Sequence, residues 1–417
     1  MTTLARVAIV DPYSSGALLA PAFHARGLES VAVQTHRDVP LLFRSSFAPQ
    51  DFAAILEHRR DPGVIAAGLR RLGVRYVLAG SEPGVELADE LCERLGLDRN
   101  GSALRSARRH KYLMIEAVRA RGLQVPDQFH SPELGELRDW MQSRGGRPVV
   151  VKPPGSVASD SVTVCRTEAE LAQSHEAIAG RTNVLGLRND TVVVQELLEG
   201  PEYVVDTVSH GGRHRVAAFW RYHRPRRRPA EPGVFYEAIE LLPYRGERQE
   251  KLFAYVARAL DALEISYGPA HSEVIWARGR GPTLVEVGAR LSAGSNAVIS
   301  GLCGGPSALD LTVEACLDPD RFHAGGHPDR LTSAAVTCFL VRPAGHRPRP
   351  RPPLAEIRRL RSFHRMSIAR GATDRRVVGA VTFIHPVRRI VREDVRLLRR
   401  FERERLYEPL PARGRKV

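Results

Sequence analysis

The chain opens with short apolar runs that alternate with amphipathic stretches ending at glycine. Residues 6 to 33 read as one βαβ unit: the run "RVAIV", a turn "DPYSSG", a helix from about Ala17 to Arg26 stopped by Gly27, then "SVAVQT". A second strand-to-helix step follows in "YVLAGSEPGVELADELCERLGL", with the strand ending at Gly80, Glu82 in the loop and a helix running to Gly96. Ligands gather at such carboxyl ends of strands in open α/β sheets, so Glu82 is a candidate contact for a substrate amine; a carboxylate favoured by the start of a helix is the plainer alternative. "DPYSSG" is not a G-x-G-x-x-G, so no dinucleotide site is inferred there.

The stretch "SALRSARRHKYLMIEAVRARGLQVP" predicts one helix, ended by Gly122 and stopped by Pro126. Helical spacing sets Leu104, Ala107, Lys111, Ile115 and Val118 on one stripe, so Lys111 interrupts an apolar face, either snorkelling or aimed into a cleft. From about Arg147 the period changes to two, with "RPVVV", "SVTVC", "TVVVQELL", "EYVVDTVS" and "RVAAFWRYH" as strands. "VVDTVSHGGRHRVAAFW" is a hairpin with a Gly-Gly turn. Between about Arg224 and Gly233, "RPRRRPAEPG" is a basic, proline-rich loop; beyond about Asp320 lies a further α/β segment in which "RPAGHRPRPRPP" reads as an exposed extended loop.

The segment "HSEVIWARGRGPTLVEVGARLSAGSN" carries the most chemistry. With a turn centred near Gly279 and Arg280, Glu273 and Glu286 fall opposite each other on one face of an antiparallel hairpin. Opposed like charges are destabilising, so a raised pKa or a divalent cation must compensate if the pair is buried. Mg²⁺ takes one or two carboxylates plus substrate phosphates. A slip of one residue would put the two glutamates on opposite faces, and solvent exposure of both would also dissolve the argument. Arg290 and Asn296 lie just beyond the second strand, where an arginine can neutralise phosphate charge during transfer.

Composition narrows the class. At 417 residues the chain has length for two to four domains, and 43% hydrophobic with 26% charged residues is ordinary for a globular protein. No apolar run approaches the ~18 residues of a membrane span, and the N-terminus has no cleavable signal pattern, which points to the cytoplasm. The five cysteines are scattered and never form a C-x-x-C pair, arguing against both disulfides and zinc. A net charge of +15 raises a nucleic-acid hypothesis, but the arginines are spread along the whole length and aromatic residues are only 6%. Lysine occurs only at Lys111, Lys152, Lys251 and Lys416 among 62 basic residues, so a retained lysine is itself a clue: a compact charge suits a phosphate oxygen in a tight site.

Taken in order, Lys111 on a helix, Lys152 after a strand and before "PPGSVASDSV", the acidic strand end "VVVQELLEGPEYVVD" and the glutamate hairpin resemble the ATP-grasp superfamily over roughly residues 100 to 315. The resemblance implies a multidomain α/β and α+β protein: an N-terminal Rossmann-like pre-ATP-grasp domain over 1–105, a small lid subdomain over 106–190, and a large subdomain over 191–417 with a C-terminal α/β extension from about 321. It implies that Lys111 and Lys152 hold ATP phosphates with Ser156 in the phosphate loop. Gln195, Glu196 and Leu198 would supply the adenine hinge, Glu202 would hold the ribose, and Glu273 and Glu286 would hold Mg²⁺. Two departures stand out: Ser161 occupies a position where a phosphate-loop glycine is common, and Gly288 replaces the asparagine of the frequent E-x-N pattern, leaving one metal contact to water or Asn296.

Within the superfamily, "AGSEPGVELAD", "GPAHSEV" and "EVGARL" are most similar to the L-amino-acid ligases, dipeptide synthetases of antibiotic biosynthesis. The resemblance implies an amino-acid carboxylate activated by ATP as an acyl phosphate and captured by a second amine, with Arg290 and Lys152 catalytic and Glu82, Arg290 and Gly294 at the substrates. The small residues of "LSAGS" would leave room for a sizeable second substrate. Ligases that use a side-chain carboxylate, such as the γ-carboxyl of glutamate, or a non-amino-acid amine are the alternatives, followed by a non-catalytic nucleotide- or nucleic-acid-binding protein. The expected partners are amino acids and ATP, with no membrane; a homodimer is left open.

Overall fold

The first apolar runs form a parallel sheet in the computed structural model, which describes residues 5–36, 39–40, 43–57, 61–225, 236–326, 330–368 and 377–410. Strands β1 (Arg6–Val10), β2 (Glu29–Gln34), β3 (Ala54–Glu57) and β4 (Val74–Ala79) lie in the order β3-β2-β1-β4. The winding therefore reverses between β1 and β4, which opens a crevice at their carboxyl ends. Helices α1 (Leu19–His24), α2 (Pro62–Arg71) and α3 (Val85–Leu95) accompany the sheet. The first helix is shorter than its pattern suggests, because Ser14–Leu18 winds as a 3-10 turn; α3 ends as expected at Gly96, whose left-handed φ of 68° closes it. Gly80 and Gly84 let the loop after β4 touch β1: an added Cβ would lie 2.6 Å from the Asp11 carbonyl oxygen at Gly80 and 2.5 Å from that of Val10 at Gly84.

The helix expected across residues 104–121 is broken. Ser106–Arg108 forms a 3-10 turn, and α4 (Lys111–Ala120) begins afresh, with the His110 ring accepting from the Leu113 N–H at 3.4 Å. Lys111 is thus the first residue of a helix and not an interruption in the middle of an apolar stripe. Its backbone N–H donates to the Pro154 carbonyl at 2.8 Å, which ties the helix start to the loop after the next lysine.

That loop belongs to an antiparallel sheet of β5 (Gln128–Ser131), β6 (Val149–Lys152), β7 (Thr163–Cys165) and β8 (Val192–Glu196), in the order β5-β8-β6-β7. Helices α5 (Leu134–Ser143) and α6 (Glu168–Ile178) bury Leu137, Met141, Leu171 and Ile178 against Val149, Val151, Val192 and Val194. The alternation along β6 sends Val149 and Val151 into this core and Lys152 out of its end.

The larger sheet is built from β9 (Glu202–His210), β10 (Arg213–His223), β11 (Ala238–Leu241), β12 (Gly268–Ala277), β13 (Gly281–Gly288) and β14 (Ala334–Val341). The stretch read as an extended loop contributes a short strand, β15 (His346–Pro348); β16 (Phe363–Ile368), β17 (Val377–His385) and β18 (Tyr407–Pro409) follow, and β15 pairs with β18. The order is β13-β12-β9-β10-β11-β14-β17-β16. Gly211 and Gly212, both at positive φ, make the expected turn between β9 and β10. Helices α4 and α7 (Glu247–Ala262) cover one face, where Tyr203, Val205, Val274, Leu284 and Val287 pack. Period-two alternation then delivers Glu202, Asp206, His271 and Glu273 to the other face. Of the basic stretch from Arg224 to Gly233, only the first two residues lie within the described residues. No helix among the described residues is long and apolar enough to cross a membrane, and all five cysteines are free thiols.

Candidate functional site

The expected glutamate hairpin forms, by a different route. The loop between β12 and β13 has three residues, with Ala277 opposite Gly281, and on that count Glu273 would face Val285. A bulge at Val285 restores the register, so that Glu273 and Glu286 are direct Cα partners. Both side chains leave the sheet on the face opposite the buried Val274 and Val287.

Two lysines meet this pair. Lys111 Nζ lies 3.0 Å from Glu286 Oε2 and donates to the Ser156 carbonyl at 2.8 Å. Burial works to lower its pKa but is outweighed by Glu286 and Glu82, so it stays raised and charged. Lys152 is 3% exposed and donates to the side-chain oxygen of Gln195 at 2.9 Å. Burial, unrelieved by a carboxylate in contact, brings it down to about 8. Burial also acts to raise Glu286, but Lys111 and Lys152 prevail and hold it down to about 2, so this carboxylate is ionised. The like-charge problem posed by the pairing is met here by cations.

Beneath Glu273 runs a buried chain of polar groups that sequence reasoning missed. Trp220 Nε1 donates to Asp206 Oδ2 at 2.8 Å, Asp206 Oδ1 lies 2.7 Å from His271 Nδ1, and His271 Nε2 lies 3.4 Å from Glu273 Oε1. Burial opposes the charged imidazole, but Asp206 and Glu273 raise His271 to about 9. The signal for His271 was present, since it stands two residues before Glu273 on the same face; Asp206 needs the β9–β12 pairing, which no local pattern reveals.

The remaining expected residues fall into three groups. Gln195 faces Lys152 and donates to Gln128 Oε1 at 3.1 Å, whereas Glu196, on the opposite side of β8, is bound by Arg144 at 3.2 Å and by Arg280. Leu198 is half-buried in the segment leading to β9. Glu202 is 2% exposed; Arg224 donates to its Oε2 from Nε at 3.0 Å and from Nη2 at 2.6 Å, and the Tyr236 hydroxyl donates to Oε1 at 2.7 Å. Tyr236 stacks on Tyr222 with centroids 4.1 Å apart, forming a wall beside Glu202 that the sequence did not disclose. Ser156 Oγ donates to Asp160 at 2.7 Å. Arg290 Nε donates to Glu82 Oε2 at 3.1 Å, so the structure brings these two together. Gly294 sits at φ 67° in the turn before α8 (Asn296–Leu302), and Asn296 is the first residue of that helix.

The donor set fits a hard cation with a polyphosphate. Among the described residues no cluster of three or more metal-ligating side chains occurs; Glu273 and Glu286 are two oxygen ligands, the number Mg²⁺ takes when phosphates complete its shell. Lys111, Lys152 and Arg290 all act on Glu286, so the cleft carries positive charge around the carboxylates that would hold the cation.

A family model described as an ATP-grasp domain matches residues 146–298. The chain is 32% identical over 329 residues to dapdiamide A synthase of Enterobacter agglomerans, covering 76% of this chain and 74% of that one. Its fold is similar to that of the L-amino acid ligase from Bacillus licheniformis, with a TM-score of 0.72 at 16% identity over 96% of this chain and 98% of the other. It is also similar to carboxyaminoimidazole ribonucleotide synthase from Aspergillus clavatus complexed with ATP, with a TM-score of 0.70 at 14% identity over 97% and 99% of the two chains. On the strength of its 32% identity to dapdiamide A synthase, the chain belongs to the ATP-grasp family and is an ATP-dependent ligase that forms C–N bonds.

Proposed function

We propose that this ligase joins two amino acids, in the biosynthesis of a peptide natural product, through an acyl phosphate. The observation that carries the reading is the meeting of Lys111, Lys152, Glu273, Glu286 and Arg290 in one cleft. The donor carboxylate oxygen bonds to the γ-phosphorus of ATP as ADP leaves; the acceptor amine then bonds to the acyl carbon, phosphate departs with the electron pair, and the amine gives up its proton. Such chemistry depends on placement and charge neutralisation. Lys111 and Lys152 bind the phosphates. Gln195 orients Lys152, the backbone of Gln195, Glu196 and Leu198 lines the adenine side, and Glu202 faces the ribose, with Ser156 in the phosphate loop. Glu273 and Glu286 would hold Mg²⁺, which neutralises charge on the transferring phosphoryl group. Arg290 neutralises the acyl phosphate, and the loop through Gly294 borders the acceptor. The lid subdomain runs from 106 to about 190, and β8, at the start of the large subdomain, completes the lid's sheet. Every group named comes from one chain, and the free thiols suit the cytoplasm.

The similarity to dapdiamide A synthase favours synthesis over hydrolysis or simple nucleotide binding, and a ligase that takes a side-chain carboxylate, such as the γ-carboxyl of glutamate, is the alternative. The test is ADP and phosphate release on a panel of amino acids, singly and in pairs, with product mass. Release that needs two amino acids and Mg²⁺ is expected; release with a single acid and a non-amino-acid amine would replace the dipeptide reading, and no release with any pair would remove it.

A further inference from the structure

Arg290 follows β13, yet its guanidinium is held from the N-terminal sheet. Its Nε donates to Glu82 Oε2 at 3.1 Å and its Nη1 to the Leu291 carbonyl at 2.9 Å; that carbonyl also accepts Ser15 Oγ at 3.3 Å. Glu82 stands just past the end of β4 and Ser15 past that of β1, so one side of the crevice holds this arginine directly and the other through the Leu291 carbonyl they share. The pair is well covered, with side-chain exposures of 15% for Arg290 and 13% for Glu82, and is therefore little screened by salt. Glu82 is itself anchored, because the flanking Gly80 and Gly84 let its loop lie directly on the backbone of β1.

Gly288 supplies the room. A Cβ built there would lie 3.2 Å from Arg290 Cζ, 3.2 Å from Arg290 Nη2 and 3.2 Å from Glu82 Oε2. The three nearest atoms all belong to the ion pair. Gly288 is not among the residues with positive φ, so its backbone would accept a side chain and only the pair objects.

We propose that Glu82 is a positioning residue for Arg290, that the missing side chain at Gly288 admits the pair, and that the N-terminal domain thereby sets the orientation of the guanidinium at the reacting acyl phosphate. This rests on the role given to Arg290 above. Glu82 acts through Arg290: the oxygen Oε2 is committed to Nε, and a planar guanidinium gripped at Nε and Nη1 has lost the rotations that would otherwise have to be frozen in the transition state.

The experiment compares wild type, Glu82→Gln, Gly288→Ala and the double variant in ADP release with a productive pair of amino acids, and measures ADP affinity separately by calorimetry. Each single change is expected to lower kcat by about tenfold, with ADP affinity and both amino-acid KM values within about twofold of wild type. The double variant is expected to be no slower than the slower single, since both changes break one contact. Wild-type kcat in either single variant overturns the proposal. So does a rise in one amino acid's KM in Glu82→Gln that Gly288→Ala does not reproduce, which marks a direct bond from Glu82 to a substrate amine. A parallel fall of ADP affinity and melting temperature marks a merely structural role and also overturns it. If wild type releases no ADP with any pair, the dipeptide reading fails on its own, and the Nε–H NMR signal of Arg290, assigned by its loss in Arg290→Lys, decides instead: a shift in both variants upholds the positioning contact, and an unmoved signal in either overturns it.

Discussion

The glutamate hairpin and the loop after Lys152 meet at one ammonium group, Lys111 Nζ, but they are held by opposite means. The hairpin fixes its carboxylates through backbone register: β12 is paired on both sides, by β13 and by β9, and the side chains follow from the pleat. The loop has no ladder. Ala158, Ser159 and Ser161 adopt left-handed φ values of 58°, 54° and 55° without being glycine, each at a cost of roughly 1–2 kcal/mol. Side chains offset that cost: Asp160 accepts from Ser156 Oγ at 2.7 Å, Ser161 Oγ at 3.1 Å and the Val184 N–H at 3.3 Å, and Asn183 Nδ2 donates to the Gly155 carbonyl at 3.0 Å. The hairpin is therefore set before any ligand arrives, whereas the loop can change shape by exchanging a few hydrogen bonds. That division suits a site in which metal ligands stay put and a phosphate cover moves.

The sharpest break would come from the hairpin. Glu286→Gln is expected to lower kcat for ADP release by roughly a hundredfold to a thousandfold, as loss of a preorganised charge does, while circular dichroism stays that of wild type. Near-normal turnover would detach the hairpin from the chemistry. Next comes Lys152. Its replacement by alanine should weaken ADP binding by about tenfold to a hundredfold. In wild type, with Lys152 at about 8 in the empty site, ADP affinity should be level below that pH and fall by up to about tenfold per unit above it, because a phosphate needs the ammonium form. The stability of the empty protein should move the other way. The unfolded lysine, near 10.4, binds more protons than the folded one between about pH 8 and 10, so this group's penalty is relieved as pH rises. Calorimetry and urea melts across pH 7 to 9.5 read both slopes, and parallel slopes would refute the assignment.

Two smaller effects test the loop. Asp160→Ala removes the brace and should weaken ADP binding by about 1–2 kcal/mol while leaving the Glu286 network, and hence the relative effect of Glu286→Gln, unchanged. Ser161→Gly relieves one left-handed residue and should raise the urea midpoint by an amount equal to about 1 kcal/mol or less, since glycine's extra freedom when unfolded takes back part of the gain. A midpoint that falls would mean that the hydrogen bond from Ser161 Oγ to Asp160 outweighs the backbone strain.

Features written in short-range pattern were legible, and features created by long-range pairing were not. Residue-by-residue alternation and a turn signal suffice to oppose Glu273 and Glu286, even though the assumed two-residue turn is a three-residue loop with a bulge at Val285. The helix before Lys111 was misjudged, because apolar spacing continues through residues 104–110 while the chain breaks there and His110 restarts it as a cap. Asp206 and Tyr236 reach their partners across connections of many residues, and nothing local marks them, whereas Arg224 meets Glu202 across the β9–β10 hairpin whose Gly-Gly turn is legible. Gly288 was noticed as a departure from a pattern; only atoms reveal that its emptiness is filled by Arg290 and Glu82.

The bulge at Val285 also governs how this hairpin can vary between relatives. Twelve residues separate Glu273 from Glu286, enough for a plain ladder with a two-residue turn or, as here, for a three-residue tip matched by one surplus residue in the second strand. A change of one residue at the tip can be taken up by the loop, since two-, three- and four-residue loops all close hairpins, so the facing of the two carboxylates is guarded by the ladder and its bulge and not by the tip.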